Sequence, residues 1–203
     1  MKIHYMEQQT DEWFEARLGK MTASEAQTIA ANGVGLQTYA YKVVVGKITG
    51  KSQNSFAGNK HTERGNELEP DARLSYELVK DVTVETVGFI EEDEYLGCSP
   101  DGLVGNEGGL EIKCPDDIKY FKMLVGEEKV DEAYIWQCHM SMLITGRKWW
   151  DLLFYNPNFE QRMQIFRIEP DYMRTEKLLM GIAKGKKLIN ELTQKYEQRS
   201  RNL

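Results

Sequence analysis

Hydrophobic residues in the first 80 positions recur at the three- and four-residue spacing typical of helices that pack on one face. Thr10, followed by two acids, is placed to cap the first helix, and Ser24 is placed to cap the second. Pro70 lies inside the fourth helix and predicts a kink or a new helix start there. The predicted helices cover residues 10–19, about 24–32, 38–48 and 62–80, with a loop over residues 49–60.

From residue 82 onward the period changes to the two-residue alternation of strands. Residues 82–90 are rich in β-branched side chains and predict one strand that begins a meander. The later predicted strands cover residues 95–98, 101–104, 109–114, 148–155 and 161–168, and the later helices cover about 116–126, 131–145 and from 170 onward. This order predicts a mixed α/β layer fold with a central sheet and flanking helices.

The length and composition are those of an ordinary globular chain. With 203 residues, 41% of them hydrophobic, we expect residues 1–203 to form one domain with a basic C-terminal helix from about residue 170. Apolar runs are too short to span a bilayer and the first nine residues are not those of a signal peptide, so we expect no membrane partner. Three widely spaced cysteines fit a reducing, cytoplasmic compartment.

The formal charge of −6 argues at first against a nucleic-acid partner, because phosphate-binding proteins are usually basic. The charge is unevenly distributed, however. Residues 60–111 carry 14 acids and 4 bases, whereas residues 173–203 carry 8 bases and 3 acids. Solvated helix faces explain both segments as well as a binding role does, so charge alone decides nothing here.

The strongest local signal is Pro100-Asp101, followed after nine residues by Glu111-Ile112-Lys113. Asp101 lies where one predicted strand starts, and Glu111 and Lys113 are two residues apart on the next strand, so they share a side. A hairpin between these strands brings the three charged groups together. Such a cluster needs a reason, because buried charges are costly unless they are paired or bound to a metal.

Two carboxylates favour a hard cation such as magnesium or manganese, and the backbone carbonyl of Ile112 between them can add a ligand. Lys113 beside the metal can orient water or balance the charge of a phosphate. A bare Glu-x-Lys pair would be an ordinary surface feature of a strand. The upstream Pro100-Asp101 makes metal-assisted hydrolysis of a phosphodiester the better interpretation.

The motif resembles that of the PD-(D/E)xK nucleases, whose core is restriction-endonuclease-like. Residues 96–103 and 109–115 resemble more closely the phage lambda exonuclease, or YqaJ-like viral recombinase, family. Further resemblance occurs at residues 13–17 with 22–24, at 65–73, at 134–137 and at 149–157, so that it extends over about residues 10–170.

The resemblance implies a role for five residues of the predicted centre. Asp101 and Glu111 would bind the metal, and Lys113 would be the catalytic lysine. Glu69 would be the acid near a second metal or its water, and Gln137 the active-site glutamine on the following helix. From the residues alone, Glu69 is one of many helix acids and Gln137 is an ordinary polar helix residue.

Arg17 and Ser24 resemble the family's pocket for a terminal 5′-phosphate. A serine at a helix N-terminus offers a hydroxyl and backbone N–H groups to an anion, and an arginine offers a bidentate guanidinium. Ser99, next to the predicted metal ligand, is expected to contact the scissile phosphate. On the residues alone, a surface arginine and a plain N-cap remain open.

Two segments depart from the family pattern. Residues 32–36 hold no basic residue where the lambda enzyme has an extra arginine. The segment Lys60-His61-Thr62 lacks the leucine that wedges the strands apart, although Lys60, a DNA-binding candidate, is retained. His61 can stack on a base, with a surface histidine as the plainer alternative.

The resemblance implies a magnesium-dependent exonuclease that digests linear double-stranded DNA from 5′ to 3′, preferably from a 5′-phosphorylated end. Two ions are expected, with manganese able to substitute. It would release mononucleotides, leave a 3′ single strand for a phage single-strand annealing protein, and act as a homotrimer in a bacterial or phage-infected cell. An endonuclease of the same superfamily and a non-catalytic DNA-binding recombination scaffold are the alternatives.

Overall fold

The structure, a computed structural model, describes residues 1–52 and 60–201, with side chains described from residue 64 in the second range. Thr10 caps the first helix through its hydroxyl, as predicted. Ser24 does not cap the second, because it lies inside a 3-10 turn and Glu25 precedes the helix. Pro70 lies within one continuous helix. The helices in this half are α1 (Asp11–Arg17), α2 (Ala26–Ala31), α3 (Val34–Thr49) and α4 (Lys60–Lys80).

Over the described residues, nine strands form two sheets instead of one central sheet. The first sheet has the order β1-β4-β5-β2 and the second the order β3-β6-β7-β8-β9, each with parallel and antiparallel neighbours. The strands are β1 (Lys2–His4), β2 (Met21–Thr22), β3 (Val84–Glu85), β4 (Phe89–Asp93), β5 (Leu96–Cys98), β6 (Gly102–Val104), β7 (Gly108–Lys113), β8 (Trp149–Tyr155) and β9 (Met163–Ile168). The mixed α/β class is confirmed.

The predicted strand over 82–90 is wrong in one respect, since it is two short strands that belong to different sheets. The chain leaves β3 after Glu85 and enters β4 at Phe89. A side chain at Gly88, between them, would come within 2.4 Å of Met6, so this crossing needs a residue without a Cβ. The chain crosses between sheets again at residues 99–101, where Asp101 lies.

The second sheet is covered on both faces. Leu110 and Ile112 of β7 pack with Ala72 and Tyr76 of α4 in a smaller core. Because side chains alternate along a strand, Glu111 and Lys113 project from the opposite face. That face packs against a helix of the larger core, which holds Cys138 and Met140. The remaining helices are α5 (Asp117–Leu124), α6 (Glu132–Thr145) and α7 (Tyr172–Ser200).

Helix α6 packs against both sheets, contacting β4, β5 and β8. Helix α7 closes the larger core by packing on α2, α3 and α6. Within residues 1–52 and 60–201, no helix combines the length and the apolarity that crossing a membrane requires.

Candidate active site

The predicted triad converges at the point where the β6–β7 hairpin opens. Gly102 pairs with Leu110 as the last rung of the ladder, and Asp101 lies just beyond it. Its Oδ2 accepts a hydrogen bond of 2.6 Å from the backbone N–H of Ile112. The N–H and C=O groups of one strand residue point to the same side, so the Ile112 carbonyl also faces Asp101.

Glu111 is the most deeply buried acid of the centre, with 2% of its surface exposed. Its Oε1 accepts from Lys113 Nζ at 2.7 Å and from Gln137 Nε2 at 2.6 Å. Its Oε2 is buried and has no hydrogen-bond partner in the described part of the chain. A buried carboxylate oxygen without a donor is costly, so this atom needs a proton or a cation.

Glu69 reaches the same centre from α4. Its carboxylate pairs with Arg73, one turn later on the helix. Arg73 Nε also donates to the backbone carbonyl of Asp101 at 3.2 Å, which ties α4 to the start of β6. The structure thus brings together the acid from the helix and the two acids from the hairpin.

The electrostatics of these groups show an excess of negative charge. Burial, with repulsion from Asp101, raises the pKa of Glu69 to about 7 and that of Glu111 to about 8. Burial raises the pKa of Asp101 as well. Burial alone would lower the pKa of Lys113, but the carboxylates of Glu111 and Asp101 outweigh it and raise this pKa. Lys113 and Arg73 together do not balance three carboxylates.

The donor set therefore fits a divalent cation with a preference for oxygen ligands. Glu69, Asp101, Glu111 and Ile112 all line one cleft, and the buried Oε2 of Glu111 has no donor there. Among the described residues, no group of three or more His, Cys, Asp or Glu side chains is arranged so that it could hold a metal ion by itself. Two carboxylates and a carbonyl leave coordination positions for water and phosphate oxygens.

Arg17 lies at the other end of the same cleft. Its Nη1 donates to the Ser99 hydroxyl at 2.8 Å, and its guanidinium stacks over the Trp13 ring at 4.2 Å. Trp13 Nε1 also donates to the Ser99 hydroxyl, at 2.9 Å. Burial lowers the pKa of Arg17 to about 10, so the group is still a cation at neutral pH. Ser99 thus links the arginine to the strand crossing that carries Asp101.

The cleft has a volume of about 580 Å³, in the range of pockets that hold small ligands. Ser24 lines it, with its hydroxyl 3.1 Å from that of Thr22. Lys60 begins α4, but its side chain lies outside the described part, as does that of His61. The cleft is lined by the predicted residues Arg17, Ser24, Glu69, Ser99, Asp101, Glu111, Ile112, Lys113 and Gln137.

Several residues that shape the cleft escaped the sequence analysis. Gln9 and Asn66 exchange two amide hydrogen bonds, of 2.7 and 2.8 Å, and join the N-terminal segment to α4 at the cleft edge. Tyr134 and Lys119 line the cleft beyond Lys113. The four-residue helical spacing of Glu69 and Arg73 could have revealed that ion pair. The amide pair spans 57 residues and has no local signal.

The chain is similar to one family model and to solved structures of exonucleases. A family model described as the YqaJ-like viral recombinase domain matches residues 12–148. The alkaline exonuclease LHK-Exo from Laribacter hongkongensis is 30% identical, with a TM-score of 0.84 over 95% of this chain and 99% of that one. The same exonuclease in complex with dAMP is 31% identical, with a TM-score of 0.83 over the same shares.

A phage-related exonuclease from Haemophilus somnus 129PT shares the fold at 18% identity, with a TM-score of 0.71 over 87% of this chain and 96% of that one. No curated protein matches the chain. Fold and site together define a nuclease of the PD-(D/E)xK type. The chain belongs to the YqaJ-like viral recombinase family.

Proposed function

We propose that the protein is a magnesium-dependent exonuclease that digests linear double-stranded DNA from 5′ to 3′ and releases mononucleotides. The observation that carries the proposal is the pair of Asp101 and Glu111 in one cleft, with Lys113 beside them and a buried Glu111 oxygen that has no donor. Relatives that are described as exonucleases support it.

Asp101, Glu111 and the Ile112 carbonyl would hold the first ion, and Glu69 would hold a second ion or its water. Manganese, which accepts the same oxygen ligands, would substitute. When bound, magnesium supplies Lewis-acid stabilisation of the scissile phosphate and a lowered pKa for the attacking water. The raised pKa values of Glu69 and Glu111 support this assignment, because a bound cation would stabilise the charged form that burial disfavours.

Lys113 acts on the water and on the phosphate oxygens. Its ammonium is held by Glu111 and lies 4.8 Å from the centre of the Tyr134 ring. Because it stays protonated, it orients water and offsets phosphate charge and does not abstract a proton. Gln137 positions Glu111 through its 2.6 Å hydrogen bond, and so fixes which carboxylate oxygen faces the ion.

Arg17 gives the enzyme its preference for a 5′-phosphorylated end. The guanidinium is held by stacking on Trp13 and by Ser99, which leaves further N–H donors for a terminal phosphate. Ser24 adds a hydroxyl in the same cleft, Ser99 contacts the scissile phosphate, and Lys60 contacts the DNA backbone. The terminal nucleotide would lie between this pocket and Asp101.

The assembly that we propose is a homotrimer of chains that each form one nuclease domain over residues 1–203. Exposed apolar side chains on α3 and α5 support association, since they include Tyr41, Val45, Ile118 and Phe121. The 3′ single strand left by digestion would pass to a phage-type single-strand annealing protein.

The test is digestion of end-labelled linear duplex with magnesium, with and without a 5′-phosphate. Wild-type protein should release the labelled 5′ mononucleotide, and faster from the phosphorylated end. Asp101→Asn and Lys113→Ala should each lower the rate at least 100-fold. Arg17→Ala should remove most of the difference between the two ends. Retained digestion by Asp101→Asn, or cleavage of covalently closed circular duplex as an endonuclease would give, overturns the proposal.

A further inference from the structure

Lys119 is a cleft residue that the proposed mechanism does not use. It lies on the first turn of α5, half-buried, and its side chain lines the same cleft as the three acids. Its Nζ lies 5.9 Å from the centre of the Tyr134 ring. No carboxylate of the described residues lies within ion-pair distance of it.

The other cations around the centre are already engaged. Arg73 pairs with Glu69, and Lys113 pairs with Glu111. Arg64, which precedes the cleft on α4, lies 3.7 Å from Asp117. A cation without a carboxylate partner in a cleft crowded with acids has a clear use when the ligand is itself an anion, because binding then breaks no existing ion pair.

The cationic groups of the cleft lie at two separate contacts. Arg17 is bonded to Ser99, two residues before Asp101. Lys113 Nζ is bonded to Glu111 and lies 4.8 Å from the Tyr134 ring centre. Lys119 approaches the same ring, with its Nζ 5.9 Å from the ring centre, so it belongs to the Lys113 part of the cleft. An anion at Arg17, a second at the acids and a third at Lys119 would match successive phosphates of one strand.

We propose that Lys119 binds the phosphate that follows the scissile phosphate on the 3′ side, as a positioning residue for the strand. The inference rests on the proposed function, in which the 5′-phosphate occupies the Arg17 end. Tyr134 has the two ammonium groups 4.8 and 5.9 Å from its ring centre, and its ring would offer an apolar surface to the intervening sugar. The strand is then held on both sides of the bond that breaks.

The experiment removes one charge from the protein and one from the DNA. A 5′-phosphorylated linear duplex carries a neutral methylphosphonate at the second linkage of the digested strand, and single-turnover release of the first mononucleotide is measured. Lys119→Ala should lower this rate about tenfold on unmodified duplex, which is the usual effect of losing one charge-assisted hydrogen bond. The methylphosphonate should slow the wild type about equally and the variant hardly at all.

Two controls make the result specific. Lys148→Ala removes an equal charge at the opposite end of β7 and β8, outside the cleft, and should leave the rate unchanged. Lys119→Arg should restore the rate and its sensitivity to the second linkage. Equal sensitivity of wild type and Lys119→Ala to the methylphosphonate overturns the proposal, as does an unchanged rate for Lys119→Ala. If the wild type releases no mononucleotide from unmodified duplex, the proposed function itself has failed.

Discussion

The Glu111 carboxylate is costly to bury, although the proposed function requires it. One of its oxygens accepts from Lys113 and Gln137, and the other is buried without a donor. An apolar or amide side chain would be easier to bury there. In the charged form the carboxylate destabilises the metal-free fold, and a bound proton or a bound cation offsets that cost, which is the usual relation between a functional charge and stability.

Metal-free protein should therefore lose stability as the pH rises. Glu111 keeps its proton in the folded state up to about pH 8, whereas the unfolded chain releases it near the ordinary value. Between those limits the folded state binds more protons, so the free energy of unfolding falls with pH, by at most about 1.4 kcal/mol per unit for each such group. Glu69, with a pKa of about 7, acts in the same direction.

Glu111→Gln should flatten this fall while abolishing digestion, as urea unfolding in EDTA at pH 5 to 9 would show. Glu107→Gln, at an exposed acid of the β6–β7 turn, is the matched control and should follow the wild type. Added magnesium should stabilise the wild type at pH 8 more than it stabilises Glu111→Gln. A wild-type stability that rises from pH 5 to 8 without metal would contradict this account.

Helix α7 packs closely on α2, and this contact closes one side of the larger core. A Cβ at Gly181 of α7 would lie 2.0 Å from the backbone carbonyl oxygen of Ile29 in α2. Backbone cannot yield as a flexible side chain can, so the two helices would have to separate. The contact explains why a glycine occupies the middle of a helix, where it otherwise costs about 0.5 to 1 kcal/mol relative to alanine.

Gly181→Ala and Gly65→Ala should have opposite effects on stability. The first should lower the free energy of unfolding by about 1 to 3 kcal/mol through overpacking. The second, in α4 where an added Cβ meets nothing within 4 Å, should raise it by about 0.5 to 1 kcal/mol through helix propensity. Urea unfolding of both variants in magnesium checks this. Equal changes in the two would show that propensity alone decides both positions.

Most elements could be predicted from the sequence because their signals are local. Thr10 caps α1, the β6–β7 hairpin carries its acids on one face, and α5 and α6 begin after aspartates. Which sheet a short strand joins is not a local property, so residues 82–90 were predicted as one strand. Ser24 has the chemistry of a cap, but the 3-10 turn around it follows from packing of Thr22 against Tyr39.

The residues of the candidate site also divide into those that have a local sequence signal and those that do not. Asp101, Glu111 and Lys113 follow from the motif and the strand period. Arg17 and Ser99 are 82 residues apart, and their hydrogen bond depends on the crossing between sheets. No periodicity in either segment indicates that contact.

Over the whole molecule, the net charge of −6 by itself argues against a DNA partner. The positions of the individual cations change that interpretation. The basic α7 helix is partly neutralised, since Arg174 pairs with Glu132 and Lys186 with Asp93. Lys184 donates to the backbone carbonyl of Asn32. These cations stabilise the fold of α7. Under the proposed function, we therefore expect contact with DNA to depend mainly on the cations inside the cleft.

Binding of linear duplex should therefore depend only moderately on salt. The cleft cations Arg17, Lys113 and Lys119, together with the proposed contact at Lys60, would give a slope of log K against log salt of about −3 to −4. A protein with 6–10 phosphate contacts gives roughly −5 to −9. Fluorescence anisotropy with calcium in place of magnesium, in 50 to 300 mM salt, measures the slope. Lys119→Ala should reduce its magnitude by about 1, and Lys148→Ala should not. A wild-type slope steeper than about −6 would contradict this account. It would mean that a basic surface outside the cleft, which includes α7, also binds the duplex.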